Sequence, residues 1–282
     1  MRCLAIAWLS GATLLAQVNP SELVRQSIIN GEKAWRESRA YSYTKLEVDK
    51  EFGSDGRVKS NDTDLYQGVP AGGDSFEEHI RHDGQPVSPE EMRKQRQELR
   101  KLERLTPAQR AARLAKEDRE RSFYREIPDA FNFQIIGEES LPTGPAWVLQ
   151  ATPRPGFQPH SRYAHMFPKM RGKLWIDKKD IQWVKADAVA IGNVYFGYFI
   201  ARLAKGSHII LEQTRLPDGA WVPKNIQAKA SARTFLFFNH NFEENITYSD
   251  YRKSVRSSPT AVAPGCMFWP NKASPRSSSR QS

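Results

Sequence analysis

The sequence predicts an α+β fold in which one large antiparallel sheet carries helices on one side and a basic helical hairpin is inserted between its strands. Three observations lead there. The stretch Gly172 to Ala190 reads as a hairpin with Trp175 and Trp183 on either side of a polar turn. Alternation places Leu174 and Ile176 on one face of its first strand and Trp175 on the other, so apolar groups line both faces of the sheet. Strand signals then run almost without a break from Phe131 to Tyr251, which argues for one sheet in one domain over residues 17–255. Finally, Asn19-Pro20-Ser21-Glu22 begins a helix ahead of the first strand, with Asn19 as cap and Pro20 in the first turn.

Residues 1–16 read as a cleaved signal peptide: Arg2 precedes the apolar run Leu4 to Leu15, and small Ala16 precedes Gln17. That run is well short of the roughly 20 residues that span a bilayer. The expected location is therefore the periplasm. Cys3 leaves with the leader and Cys266 remains alone, so stability has to come from a core and not from an intramolecular disulfide. The formal net charge of +10 favours anionic surfaces such as lipid headgroups.

The first helix runs to about Glu37, with Leu23, Val24, Ile28 and Trp35 near one face and Trp35 as its anchor. Strands follow over Ala40 to Phe52, Arg57 to Leu65 (polar, near an edge) and Phe76 to His82. Ser88-Pro89 and Thr106-Pro107 start two helical segments between Glu90 and about Arg121, inside an insertion spanning residues 88–127. Their apolar stripe is thin and their cations are dense, which reads as a solvated element over the sheet, a candidate lid. Beyond the central hairpin, strands are expected over Tyr195 to Leu203, Ser207 to Leu216, Trp221 to Ala230, Ala232 to Phe238 and Phe242 to Tyr251. Residues 256–282 hold no acid and many Ser, Pro and Arg, the composition of a disordered basic tail.

The chemistry-bearing residues give no positive sign of an enzyme, and no cofactor or metal is expected. His79 and His82 differ by three, which on a regular strand sends them to opposite faces. His160 and His165 sit in a proline-rich loop, His208 and His240 are isolated, and the chain lacks a Gly-x-Ser-x-Gly, a phosphate loop and a dinucleotide fingerprint. The arginines between Arg93 and Arg125 would suit a polyanion, yet export argues against nucleic acid as partner.

Gly172-Lys173-Leu174-Trp175-Ile176-Asp177, Trp183-Val184-Lys185 and Asp218-Gly219-Ala220-Trp221-Val222-Pro223 resemble the periplasmic outer-membrane lipoprotein-sorting (LolA-like) family and its uncharacterised bacterial members. The looser match extends from Pro20 to Tyr251, and the long basic insertion departs from it. The resemblance implies an incomplete β-barrel (a half-barrel) with helices on its concave side and an apolar cavity that holds acyl chains. On that basis the partners are lipid or lipoprotein acyl chains and the chain is a monomer, while the basic insertion and tail favour an anionic membrane surface. The alternative is an envelope structural or sensory module that uses the same fold to engage a protein. Strand alternation nominates Trp147, Leu149, Leu174, Ile176, Phe235 and Phe237 either as the ligand-binding cavity wall or as plain core.

Overall fold

The computed structural model describes residues 18–53, 55–196, 201–234 and 238–254. The expected signal peptide, the expected basic tail with Cys266, and Phe235 and Phe237 lie outside the described residues.

Helix α1 (Pro20–Ser38) starts where the sequence places it. The Asn19 side chain accepts from the backbone N–H groups of Ser21 at 3.0 Å and Glu22 at 3.3 Å, which satisfies two of the donors a helix start leaves open. Its buried face is Leu23, Val24, Ser27, Ile28 and Ala34. Trp35 is not the anchor: small Ala34 is the residue turned to Val184 and Trp221, and Trp35 stays partly exposed beside it.

Thirteen strands follow among the described residues: β1 (Tyr41–Phe52), β2 (Val58–Ala71), β3 (Asp74–His82), β4 (Gln85–Pro86), β5 (Phe131–Leu141), β6 (Gly144–Pro153), β7 (Met170–Asp177), β8 (Trp183–Ala190), β9 (Val194–Phe196), β10 (Ala201–Leu203), β11 (His208–Arg215), β12 (Trp221–Thr234) and β13 (Phe238–Lys253). Eleven of them form one open, curved antiparallel sheet in the order β4-β3-β2-β1-β13-β12-β11-β8-β7-β6-β5, and β9 and β10 attach at β12. The first and last long strands are thus neighbours: β1 is hydrogen-bonded to β2 on one side and β13 on the other. Two strand expectations change. Residues expected as one strand over Tyr195 to Leu203 form the antiparallel pair β9 and β10, with Phe196 opposite Ala201, so the chain doubles back between them. Conversely, Trp221 to Thr234 is one strand, because it pairs with β13 without a break from Asn225–Thr247 to Thr234–Phe238, across the point where two strands were expected to meet.

The insertion starts after β4 at one end of this sheet and returns at β5, its other end. It contains α2 (Pro89–Glu103), α3 (Pro107–Glu120), a 3-10 turn over Arg121–Glu126 and the short α4 (Ile127–Ala130). Ser88 caps α2, and Thr106 with Gln109 forms a reciprocal capping box for α3. Neither α2 nor α3 has a buried residue, as their thin apolar stripes predict.

Polar contacts attach the hairpin instead. Arg39 lies 3.4 Å from Asp74 and 3.2 Å from Glu117, and Arg113 reaches the same two carboxylates at 3.4 and 3.6 Å. Beneath it, Gly72 takes φ +62°, and a Cβ there would stand 2.9 Å from the Leu102 carbonyl oxygen, so only glycine lets the β2–β3 turn tuck under the end of α2.

Burial pushes the Glu117 carboxyl up to about 7; a hydrogen bond and the charge of Asp74 add to the rise, while Arg39 and Arg113 oppose it. Folded Glu117 therefore keeps its proton above its ordinary value, in a range where the unfolded chain has lost it. Its contribution is full below that ordinary value and is lost as pH rises through about 7. Melting temperatures measured from pH 5 to 8 should fall more steeply for the wild type than for Glu117→Gln, whose side chain stays neutral; parallel curves would assign the pH dependence to other groups.

Candidate functional site

The apolar floor beneath α1 is built by β6 and β7. Trp147 pairs with Ile176 and Leu149 with Leu174, so all four side chains share the face that α1 covers. Leu149 and Ile176 are fully buried against Leu23, Val24 and Ile28, and Trp147 and Leu174 pack partly buried beside them. The structure therefore gathers these four nominated residues in one cluster. On the opposite face, Trp175 packs with Ala146 and Val148, and its indole N–H donates to Glu139 at 2.6 Å.

The packing opens further along α1. From Ile28 onward a cavity of about 170 Å³ lies between the helix and the sheet, walled by Trp35, Trp183, Leu211, Trp221 and Ile226. Gly31 brings the helix this close, since a Cβ there would stand 2.8 Å from the Trp183 indole nitrogen. Arg121 and Tyr124 of the 3-10 turn also line the space, with Glu32, Ser38, Glu212 and Gln213 as further polar members. Behind the wall, buried Gln182 donates to Gln213 at 3.0 Å and the Trp221 indole donates to Asp180 at 2.9 Å, which fixes two of the lining residues.

Two guanidiniums lie over the Trp35 ring, Arg39 at 3.7 Å and Arg121 at 4.2 Å from its centroid, and Arg121 is also 4.9 Å from that of Tyr124. Arg39 sits within 3.4 Å of Asp74 and 3.2 Å of Glu117, whereas Arg121 makes no ion pair among the described residues. Burial, with the charge of Arg39, lowers the Arg121 guanidinium below its ordinary value while Tyr124, Glu32 and Glu117 oppose the shift. The result is an apolar recess with the Arg121 guanidinium at its wall, in no direct ion pair among the described residues but within the field of Glu32 and Glu117.

Sequence reasoning missed the convergence of Arg121, Tyr124, Leu211 and Ile226. Arg121 and Tyr124 share the 3-10 turn while Leu211 lies on β11 and Ile226 on β12, and no local pattern relates the end of a basic helix to the middle of those strands.

A second departure is in β3. The expectation that His79 and His82 oppose each other across the strand fails because the β2–β3 ladder shifts register: Tyr66 pairs with His79, Leu65 with Arg81 and Asp64 with His82, leaving Ile80 as the extra residue. The bulge turns both rings to one carboxylate oxygen. Asp64 Oδ1 is 2.7 Å from His79 Nε2 and 2.8 Å from His82 Nδ1.

Neither a family model nor a curated protein matches this chain. Among solved structures it is similar to a DUF1329 family protein from Desulfovibrio piger (13% identity, 86% of this chain and 96% of that one, TM-score 0.30). It is also similar to a putative outer membrane lipoprotein-sorting protein domain from Vibrio parahaemolyticus (12%, 84% and 95%, TM-score 0.34) and to MucB in complex with MucA(peri) (10%, 82% and 94%, TM-score 0.24). The second carries the name of the family that the hairpin motifs resemble. At such identities and scores these likenesses decide nothing about function, which has to come from this chain's own residues.

Leu149 and Ile176 have no free volume around them, so truncation leaves a void. Leu149→Ala should cost about 2–5 kcal/mol in urea denaturation. Ile176→Asp should abolish cooperative unfolding, since it buries an unpaired charge; a folded, stable Ile176→Asp would show that α1 leaves this floor open to solvent.

Proposed function

We propose that this chain is an exported, monomeric binding protein of the cell envelope that holds an acyl chain between α1 and the sheet, with the anionic end of the ligand at Arg121, and that it does not transform what it binds. The carrying observation is the tryptophan-walled recess beside an unpaired, half-buried guanidinium. Apolar walls reward each buried methylene by about 0.8 kcal/mol, so the walls hold the chain while the cation selects a carboxylate or phosphate end. No histidine or cysteine lines the recess, which supports binding over catalysis. No described helix is long and apolar enough to cross a membrane.

The recess measures about 170 Å³, below the ~300–1,000 Å³ usual for small-molecule sites. A long acyl chain therefore needs α1 to lift. Lifting it would withdraw Leu23, Val24 and Ile28 from the floor and extend the wall onto Trp147, Leu149, Leu174 and Ile176. In this reading α1 is a plug that occupies the ligand's place, and the nominated residues serve as core when the site is empty and as wall when it is filled.

A fluorescent fatty acid should bind the mature chain with a Kd on the order of micromolar. Leu211→Trp, which fills the recess, should weaken binding at least about tenfold, or about 1.4 kcal/mol, with the fold intact by circular dichroism. Arg121→Gln should weaken a fatty acid by a similar factor and leave a fatty alcohol of equal length unchanged. Absence of saturable binding, or indifference to Leu211→Trp, would overturn the proposal.

A further inference from the structure

We infer that Asp64, His79 and His82 form a binding site for a zinc-class divalent metal ion at the β2–β3 ladder, separate from the acyl recess. The bulge at Ile80 places Asp64 Oδ1, a His79 ring nitrogen and a His82 ring nitrogen mutually within 4.8 Å, each offering one ligand atom. On a tetrahedral ion with bonds of about 2.0–2.2 Å, ligand atoms stand about 3.3 Å apart. The present contacts of 2.7 and 2.8 Å from Asp64 to the two rings need to open by only a fraction of an ångström to admit an ion. Two imidazoles and one carboxylate suit zinc and its neighbours, and disfavour magnesium and calcium, which take oxygen ligands.

The surroundings of the rings are those of ligands held for a metal. His79 Nδ1 is 3.0 Å from Glu91 Oε1, on the far side of the ring from Asp64. A neutral imidazole donates from one nitrogen only, so in the tautomer that donates Nδ1–H to Glu91 the Nε2 lone pair faces Asp64 Oδ1 and, at 2.9 Å, the Arg81 carbonyl. Both are acceptors. An ion at Nε2, or a second proton there, removes the conflict, and a carboxylate behind a ligating histidine is the usual support of a metal-bound ring. His82 repeats the pattern more loosely, with Asp64 at Nδ1 and Asp83 Oδ2 3.7 Å from Nε2.

Position is secured as well. The Gln95 side-chain amide clamps the His79 backbone, accepting from its N–H at 2.6 Å and donating to its carbonyl at 3.1 Å, and the Tyr66 ring stacks on His79 with centroids 4.8 Å apart. Asp83 accepts from the Thr63 N–H at 2.8 Å, which holds the turn after β3. Glu91 and Gln95 both come from α2, so the insertion supplies the support and the sheet supplies the ligands. The His82 side chain is 55% exposed, which leaves the fourth coordination position open to water or to a group from another molecule.

The test is zinc titration of the chelator-stripped mature chain by calorimetry, with metal analysis after dialysis and magnesium as control. About one equivalent of zinc should bind with a Kd of about 10 µM or tighter, raising the melting temperature with the logarithm of free metal concentration above Kd, and magnesium should do neither. His82→Ala removes an exposed ring and should fold normally while zinc affinity drops at least about 30-fold; Glu91→Gln should weaken it about 10–100-fold with the stoichiometry kept. Cobalt(II) in place of zinc should give visible d–d absorption that His82→Ala abolishes. Failure of the wild type to take up zinc, or uptake and cobalt absorption unchanged in His82→Ala, would overturn the inference and leave the cluster as a histidine–carboxylate ion pair.

Discussion

One side of this sheet has to be taken out of water, and α1 is what covers it. Leu149 and Ile176 are fully buried because Val24 and Ile28 lie on them, and the strand periodicity that gathers Trp147 and Leu174 beside them would otherwise leave a continuous apolar patch. Patches of that kind on a soluble protein are covered or are used. The cover is also where the packing changes character. At Leu23 to Ile28 the helix offers branched aliphatic side chains that fill the space. One turn later it offers Gly31, then Ala34 beside a sideways Trp35, and an aromatic recess opens. A single helix thus closes one half of the face and leaves the other half hollow.

The insertion takes its meaning from the topology. The chain enters it at β4 and leaves it at β5, the two ends of the main strand path, so the helices link the free edges of an open sheet. Neither helix brings a fully buried hydrophobic face to this task, and Leu102, Leu105 and Leu114 stay half-buried beside the Gly72–Gly73 turn. The connection relies on capped helix starts, on the Arg39–Asp74–Arg113–Glu117 cluster and on a glycine turn narrow enough to pass beneath α2. Such ties weaken with charge state and salt more readily than apolar packing does.

How much of this was legible in the sequence follows from the range of each signal. The α+β class, the capped start of α1, the break between α2 and α3 at Thr106-Pro107 and the shared face of Leu174 and Ile176 were all readable, because each depends on residues within one or two turns or one strand. The role of Trp35 was misread: a helical wheel gives the direction of a side chain but not the distance to what lies opposite, and the smaller Ala34 took the close contact. The β3 histidines were misread for a different reason. A bulge inserts one residue into the count of two, and nothing in Phe76 to His82 announces it; the shift at Leu65–Tyr66 exists only between paired strands. Arg121 in the recess wall was beyond any local reading, since its neighbours Trp35 and Leu211 are remote in sequence.

The two sites proposed above lie at opposite ends of the insertion. Its first turn presents Glu91 to His79, and its last, the 3-10 turn, presents Arg121 and Tyr124 to the recess beside Trp35. Between them, α3 is held through Glu117 to Arg39, whose guanidinium also rests on the Trp35 ring. One run of helices therefore touches the metal ligands, the charge cluster and the wall of the recess in chain order. The basic insertion that departs from the half-barrel pattern thus joins the proposed cation site to the proposed acyl-chain recess.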